Sequence, residues 1–480
     1  MTTYEPVIGL EVHAELLTRS KMFCGCPVVD NTTAPPNTAV CPICSAQPGA
    51  LPVINRQAVE YAIMVGLALH CTINEFNQFA RKSYFYPDLP KGYQISQYEF
   101  PLASRGWLEI QIKGPTRRIG ITRAHLEEDT GKSFHAGDHS LVDLNRAGVP
   151  LLEIVSEPDL RSPEEVEAYA RKIRAILVYL GVNHGDMSKG VLRFEANVSI
   201  RPTGSPEFGT RTEIKNLNSI RSLVRAVRYE IQRQIRLVES GQRVVQQTMG
   251  FNETTGQTVT QRVKERADDY RYFPEPDLPP LHISREWVRE VEARLPELPD
   301  ARQARFMATL GLSAQDAGVL VMDKAVADYY EAAVKEGGDP KKLANWITGE
   351  LFRLMNASGV EIDTLKITPS ALVELIALVD TGAITQTTAK EVLGEMFETG
   401  QRPRSMVEAR GLAQISDEGA LQATVVRVIE ANPKEVASYL GGKETLLGWF
   451  VGQVMRETQG RANAQMVSDL LRTQLEARRK

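Results

Sequence analysis

Cysteine is scarce in this chain, at five of 480 residues. That excludes a secreted fold held together by a dense disulfide framework. Long apolar runs are missing as well: no stretch approaches the roughly 18 apolar residues that a membrane-spanning helix needs. The opening Met-Thr-Thr-Tyr-Glu-Pro has neither the basic start nor the apolar centre of a secretory signal. Neither sign of charge is in excess, since 56 Lys and Arg stand against 60 Asp and Glu, a net charge of −4. No global positive field draws the protein to nucleic acid or anionic lipid, so any nucleic-acid contact must rest on local basic patches. Two short motifs are also absent, GxGxxG and GxSxG. Gly131-Lys132-Ser133 imitates the end of a P-loop, but the first glycine of that motif would fall at Leu126. If the protein handles ATP, it does so through carboxylates and a divalent ion. No internal repeat, heptad run or low-complexity tract is found. The expectation is a cytosolic enzyme or assembly subunit with no membrane association.

Four of the five cysteines lie close together: Cys24-Gly-Cys26, then 14 residues, then Cys41-Pro-Ile-Cys44. In a reducing compartment such pairs are metal ligands before they are disulfides, and two short knuckles supply the four thiolates of a closed tetrahedral zinc site. Four thiolates leave no open position for a substrate, so Cys24, Cys26, Cys41 and Cys44 are expected to staple the 24–44 loop around structural zinc. Cys71, in an apolar helical stretch, is expected to be an inert buried thiol.

The stretch Ile8-Gly-Leu-Glu-Val-His-Ala-Glu-Leu16 alternates apolar and polar residues. On a strand, Leu10, Val12, Ala14 and Leu16 point one way, and Glu11, His13 and Glu15 the other. Two readings are open: a half-buried strand with a solvated polar face, or an oxygen-and-nitrogen cluster for a metal ion. Further carboxylates come in dense groups, His125-Leu-Glu127-Glu128-Asp129 and Glu153 within Val149–Asp159, with Asp143 and Asn145 before it. Magnesium takes hard oxygen ligands and keeps several waters. Taken singly, each acidic residue reads as a surface charge; the metal reading requires Glu11, His13, Glu128 and Glu153 to converge.

At 480 residues the chain is long enough for two to four domains. Residues 1–293 read as mixed α/β, with strands at Ile119–Leu126 and Leu192–Ile200. A helix opens at Ser162-Pro163-Glu-Glu165, a capping box with proline at the first helical position, and ends at Gly181. A second runs from about Ser219 to Glu239 and carries Arg221, Arg225, Arg228, Arg233 and Arg236, which a solvated face explains as well as an RNA contact does. Composition changes at the proline-bracketed Leu295–Asp300. Beyond it the sequence is helical, with a second break at Thr399–Arg404 and a small helical unit over 405–480. The last 20 residues hold five Lys and Arg against two Asp and Glu.

Several segments together resemble the B subunit of the bacterial and organellar tRNA-dependent amidotransferases, the GatB family. They are Val7–His13, Arg81–Asp88, Gly92–Gln97, Gly120–Lys132, Asp143–Asp159, Glu213–Ser219, Asp269–Asp277 and Phe450–Met455, in order along essentially the whole chain. The resemblance implies an α+β protein with three parts. A mixed α/β cradle domain (1–293) holds the kinase and transamidase centre, followed by an all-α helical domain (294–404) and a small all-α YqeY-like tail (405–480) that binds tRNA. It implies partners: an amidase subunit that releases ammonia from glutamine, a small belt subunit, and misacylated tRNA(Gln) or tRNA(Asn). It implies ATP as substrate and magnesium at Glu11, His13, Glu128 and Glu153, with Lys82 beside them and Glu127 as a neighbour. One departure is Glu195-Ala-Asn-Val198, where the family reads Asp-Ala-Asn-Val. Some members lack the four cysteines, which fits structural zinc. Two rival readings stand beside this one. One is a zinc-stapled tRNA adaptor without catalysis; the other is a stand-alone ATP-dependent ligase using free ammonia, for which the helical parts would be superfluous.

Overall fold

The computed structural model describes residues 3–112, 114–263, 270–413 and 418–478. The chain divides into two compact units, residues 1–299 and 300–480. Among the described residues no helix is long and apolar enough to cross a membrane.

Sixteen strands are described in the first unit. β1 Tyr4–Glu15, β2 Thr72–Ile73, β3 Phe76–Asn77, β4 Phe79–Ser83, β5 Tyr93–Gln97, β6 Ala103–Ile110, β7 Arg117–Glu128 and β8 Lys132–Ala136 come first. They are followed by β9 His139–Asp143, β10 Pro150–Ser156, β11 Leu192–Pro202, β12 Thr212–Leu217, β13 Gln247–Asn252, β14 Gln257–Val263, β15 Phe273–Pro274 and β16 Leu281–His282. Nine form one sheet in the order β14-β13-β12-β11-β1-β10-β7-β6-β2, so the N-terminal strand lies at its centre. Neighbours run antiparallel except β12 and β13. Four α-helices are described with them: α1 Arg56–Ala68, α2 Pro163–Tyr179, α3 Ile220–Glu239 and α4 Arg285–Glu292.

Alternation in β1 decides which face is the core. Leu10, Val12 and Ala14 join Leu152 and Ile154 of β10 and Phe194 and Ala196 of β11, and α1, α2 and α3 supply Ile63, Ile173 and Leu223 to the same core. The helix ends match the sequence signals. Ser162 accepts from the Glu165 N–H ahead of Pro163, Ser219 accepts from the Ser222 N–H, and Gly181 and Gly241 follow with φ of 68° and 78°, a conformation cheap only for glycine. Cys71 differs in one respect from its expected place: α1 ends at Ala68, and Cys71 lies in the turn beyond it. It is buried as expected, and burial raises its thiol to about 12.

The second unit is helical throughout its described residues and holds two hydrophobic clusters. One spans Phe306 to Val407 and includes Tyr330, Leu343 and Leu372; the other spans Leu421 to Leu475 around Phe450 and Leu471. The helix Gln386–Thr399 ends at Gly400 with φ 74°, where the sequence places its second break. The next helix, Pro403–Ala409, still packs Met406 and Val407 into the first cluster.

Candidate active site

The face of the sheet opposite α1–α3 is polar because alternation leaves it so. Residues paired directly across antiparallel strands point to the same face. His13 pairs with Glu153 on β10 and with Arg193 on β11, and Glu153 pairs in turn with His125 on β7. Leu151 pairs with Glu127, which places Glu127 two residues along from His125 on that face. Three adjacent strands thus bring His13, Glu127 and Glu153 together, with a ligand atom from each within 4.8 Å of the others.

His13 Nε2 lies 3.2 Å from Glu153 Oε2 and 4.0 Å from Glu127 Oε1. His125 Nε2 sits 3.8 Å from Glu153 Oε2 and 3.9 Å from Glu127 Oε2, and Arg123 Nη2 is 3.9 Å from Glu153 Oε1. From the small sheet β15-β4-β5, Ser96 Oγ donates to Glu127 Oε2 at 3.1 Å. Burial sets the electrostatics. It works against a charged His13, but the hydrogen bond and charge of Glu153 overcome it and raise the imidazole to about 9. His125 has no such direct bond, and burial pushes it down to about 4. Glu153 is held well below the usual carboxylate range, against the cost of burial, by His125, His13 and Lys82, while burial and Glu153 raise Glu127. Lys82, on β4, stays protonated because Glu127 and Glu153 outweigh its desolvation. Its ammonium lies over the Tyr270 ring at 5.2 Å. The Nδ1 atoms of His13 and His125 are buried without a partner among the described residues.

Glu11 belongs to a second, adjoining acidic group with Glu195 and Glu213. Lys215 Nζ bonds Glu195 Oε2 at 2.6 Å, Asn197 Nδ2 donates to Glu11 Oε1 at 2.9 Å, and Thr248 Oγ1 donates to Glu213 Oε2 at 2.8 Å. Burial, then Glu153 and these two glutamates, raise the Glu11 carboxyl. Glu15 shares the polar face but is taken up elsewhere, beside Asp129 and Arg193. Of the four residues expected to share one ion, the structure therefore brings His13 and Glu153 together. It adds Glu127 and sets Glu11 in the next group.

Glu128 lies outside both groups. It follows Glu127 on the same strand, and a period of two sends adjacent side chains to opposite faces. Its carboxylate pairs with Lys91 and accepts from the Ile95 N–H at 3.0 Å. His125, Glu195, Glu213 and Lys215 are site neighbours that sequence reasoning does not single out. The signal that finds them is pairing register, which alternation within one strand does not contain. Asp269, in one of the segments carrying the resemblance, lies outside the described residues.

The four cysteines Cys24, Cys26, Cys41 and Cys44 gather with sulfurs within 4.8 Å and could hold a metal ion such as zinc. The loop between the two pairs is tied to the turn before β10. Lys21, fully buried, donates through Nζ to Ala39 O at 2.7 Å and Leu144 O at 3.1 Å. Asn145 Oδ1 accepts from the Ala39 N–H, and Asp143 Oδ1 from the Asn37 N–H, both at 2.9 Å. Lys132, of the sequence that imitates a P-loop, pairs with Asn31.

Known proteins now place this geometry. Residues 6–289 match the family model described as the GatB/GatE catalytic domain, and residues 328–475 match one described as the GatB domain. The chain belongs to the GatB family. Among full-length relatives, the B subunit of the aspartyl/glutamyl-tRNA(Asn/Gln) amidotransferase of Caldanaerobacter subterraneus subsp. tengcongensis is 53% identical over 473 residues, 98% of this chain and 99% of the relative. The protein of the same name from Roseiflexus castenholzii is 53% identical over 479 residues, with 98% and 99% coverage. That from Brevibacillus brevis is 52% identical over 473 residues, covering 98% of each. The GatB/GatE catalytic match contains both acidic groups and the four cysteines.

Proposed function

We propose that this chain is the B subunit of an aspartyl/glutamyl-tRNA(Asn/Gln) amidotransferase, a ligase that works with partner subunits. In this reading it phosphorylates the side-chain carboxylate of Glu-tRNA(Gln) or Asp-tRNA(Asn) with ATP, then amidates it. The observation that carries it is the convergence of His13, Glu127 and Glu153 from three strands on one buried sheet face, beside the acidic group of Glu11.

The chemistry explains why such a face is needed. A carboxylate does not react with ammonia near neutral pH, so one oxygen must first become part of a better leaving group. That oxygen attacks the γ-phosphorus, ADP leaves, and an acyl phosphate remains; ammonia then attacks the acyl carbon and phosphate leaves. His13, Glu127 and Glu153, with Glu11 alongside, would hold magnesium, which neutralises charge on the transferring phosphoryl group when bound. Glu128, also expected as a ligand, would have to leave Lys91 to join them. Two orphaned imidazole nitrogens and an excess of carboxylates suit a cation better than an empty space. Lys82, kept positive, stands where it can hold an incoming phosphate oxygen. Ammonia must arrive unprotonated, which favours delivery from an amidase partner, and a small belt subunit completes the complex.

Cys24, Cys26, Cys41 and Cys44 would hold zinc as a staple, since four thiolates leave no open position. Removing the metal with a chelator, or Cys41→Ser, is expected to lower the melting temperature by several degrees and to free the remaining thiols to titration. Elemental analysis without zinc, with four freely titratable thiols in the folded protein, would overturn this. We further propose three working parts, a cradle domain, a helical domain and a tRNA-binding tail.

The direct test traps the intermediate. The complex, with its glutaminase inactivated, is given charged tRNA, ATP and hydroxylamine. Formation of the aminoacyl hydroxamate together with ADP is expected only when all components are present. A non-catalytic adaptor predicts neither product above background.

A further inference from the structure

Beside Glu11 the sheet carries a cavity of about 260 Å³ that the reading above leaves unassigned. Its walls include Val7, Val155 and Pro158, and its far rim is formed by Phe208 and Arg211. It is largely apolar, with Gly9 leaving the floor free of a side chain, and it ends at a carboxylate of the acidic group.

Three features describe what fits. Phe208 is 65% exposed, an aromatic face at the rim rather than in the core. The loop holding it is pressed onto β11 at Gly209, where a Cβ would come within 2.1 Å of Ile200 O, so only glycine lets Phe208 sit there. Asn197 turns its amide nitrogen to Glu11, which leaves Oδ1 in the cavity wall as a buried acceptor without a partner among the described residues. Arg211 carries no ion pair among the described residues and adds a positive charge at the mouth. A flat ring to cover, a donor to satisfy Asn197 and a polar end directed at Glu11 describe a nucleoside.

We infer that this cavity binds adenosine, with Phe208 stacking on the base and the phosphate-bearing end directed toward Glu11. The inference rests on the reading of Glu11 and its neighbours as the phosphoryl-transfer centre. Two molecules in that reaction carry adenosine: ATP, and the 3′-terminal nucleotide of the charged tRNA.

The test measures initial rates of ADP formation and amidation by the intact complex, varying ATP and charged tRNA separately, for wild type, Phe208→Ala and Phe208→Tyr. Because Phe208 is exposed, its truncation leaves the core untouched. Loss of one base–aromatic stack is expected to raise one KM about tenfold, with tyrosine restoring it. A rise confined to ATP assigns the cavity to the triphosphate, and a rise confined to tRNA assigns it to the terminal adenosine. Unchanged values for both substrates in Phe208→Ala overturn the inference while leaving the catalytic reading in place. A wild-type complex that makes no ADP in response to charged tRNA overturns both.

Discussion

Glu153→Gln is expected to reduce ATP-dependent amidation of charged tRNA by at least about 10²–10³-fold, the scale seen when one preorganised charge-stabilising group is lost from an active site. Glutamine hydrolysis by the partner should continue. The substitution keeps the shape of the side chain and removes its charge at the point where His13, His125, Lys82 and Arg123 all face it. His13 loses the bond that holds it protonated, and any bound cation loses a ligand at the centre of three strands. Glu127→Gln should behave similarly. Glu128→Gln should act mainly by releasing Lys91 and weakening the hold on Ile95, with a smaller effect on rate. The measurement is single-turnover amidation at saturating magnesium, with glutaminase activity recorded in parallel. Near-normal amidation by Glu153→Gln would remove this face from the chemistry, whereas a larger defect in Glu128→Gln than in Glu127→Gln would move the ligand set to the other side of β7.

That contrast also marks the limit of what a sequence can show. Alternation in Ile8–Leu16 is enough to put Glu11, His13 and Glu15 on one face, because the side-chain period of a strand is a local property. The caps of α2 and α3 are legible for the same reason: Ser162, Pro163 and Ser219 act on backbone groups within three residues. Which acidic residues meet is not local. Glu153 reaches His13 because β10 pairs with β1 in one register, and a shift of one residue would turn its side chain to the opposite face. Between the adjacent Glu127 and Glu128, only that register decides which one faces His13. Glu195 stands out in the sequence as a departure from the family pattern, yet its place beside Glu11 and Glu213 depends on β11 and β12 pairing on the other flank of β1. The cysteines need no such information about partners, since four of one kind within 21 residues can hardly avoid one another.

A chain ending at Ala413 is expected to retain partner assembly and glutaminase activity while its KM for charged tRNA rises about tenfold or more, roughly the loss of 1.4 kcal/mol of binding. The cut follows from packing. Ending at Arg404 would remove Met406 and Val407 from the first helical cluster and confound binding with unfolding, whereas the cluster from Leu421 to Leu475 is built from its own residues. That small unit has no grouping of metal-ligating side chains among its described residues, so its loss should spare the chemistry. It does carry exposed Lys434, Lys443, Arg456 and Arg472, none of which has an ion pair among the described residues, and Trp449 is partly exposed. Cations left unpaired on a solvated surface are free to meet phosphates, whose release of counterions makes binding weaken with salt. The truncated chain should therefore lose salt dependence as well as affinity. The slope of log KM against log salt should fall by about 0.9 for each phosphate contact removed from duplex regions of the tRNA. The maximal rate should be recovered at high tRNA concentration, since such contacts position the substrate without entering the reaction. Initial rates against charged-tRNA concentration at several salt levels, full-length beside truncated, decide the matter. An unchanged KM and an unchanged slope would leave the tail with no part in holding tRNA, and a fall in maximal rate alone would tie it to the catalytic step instead.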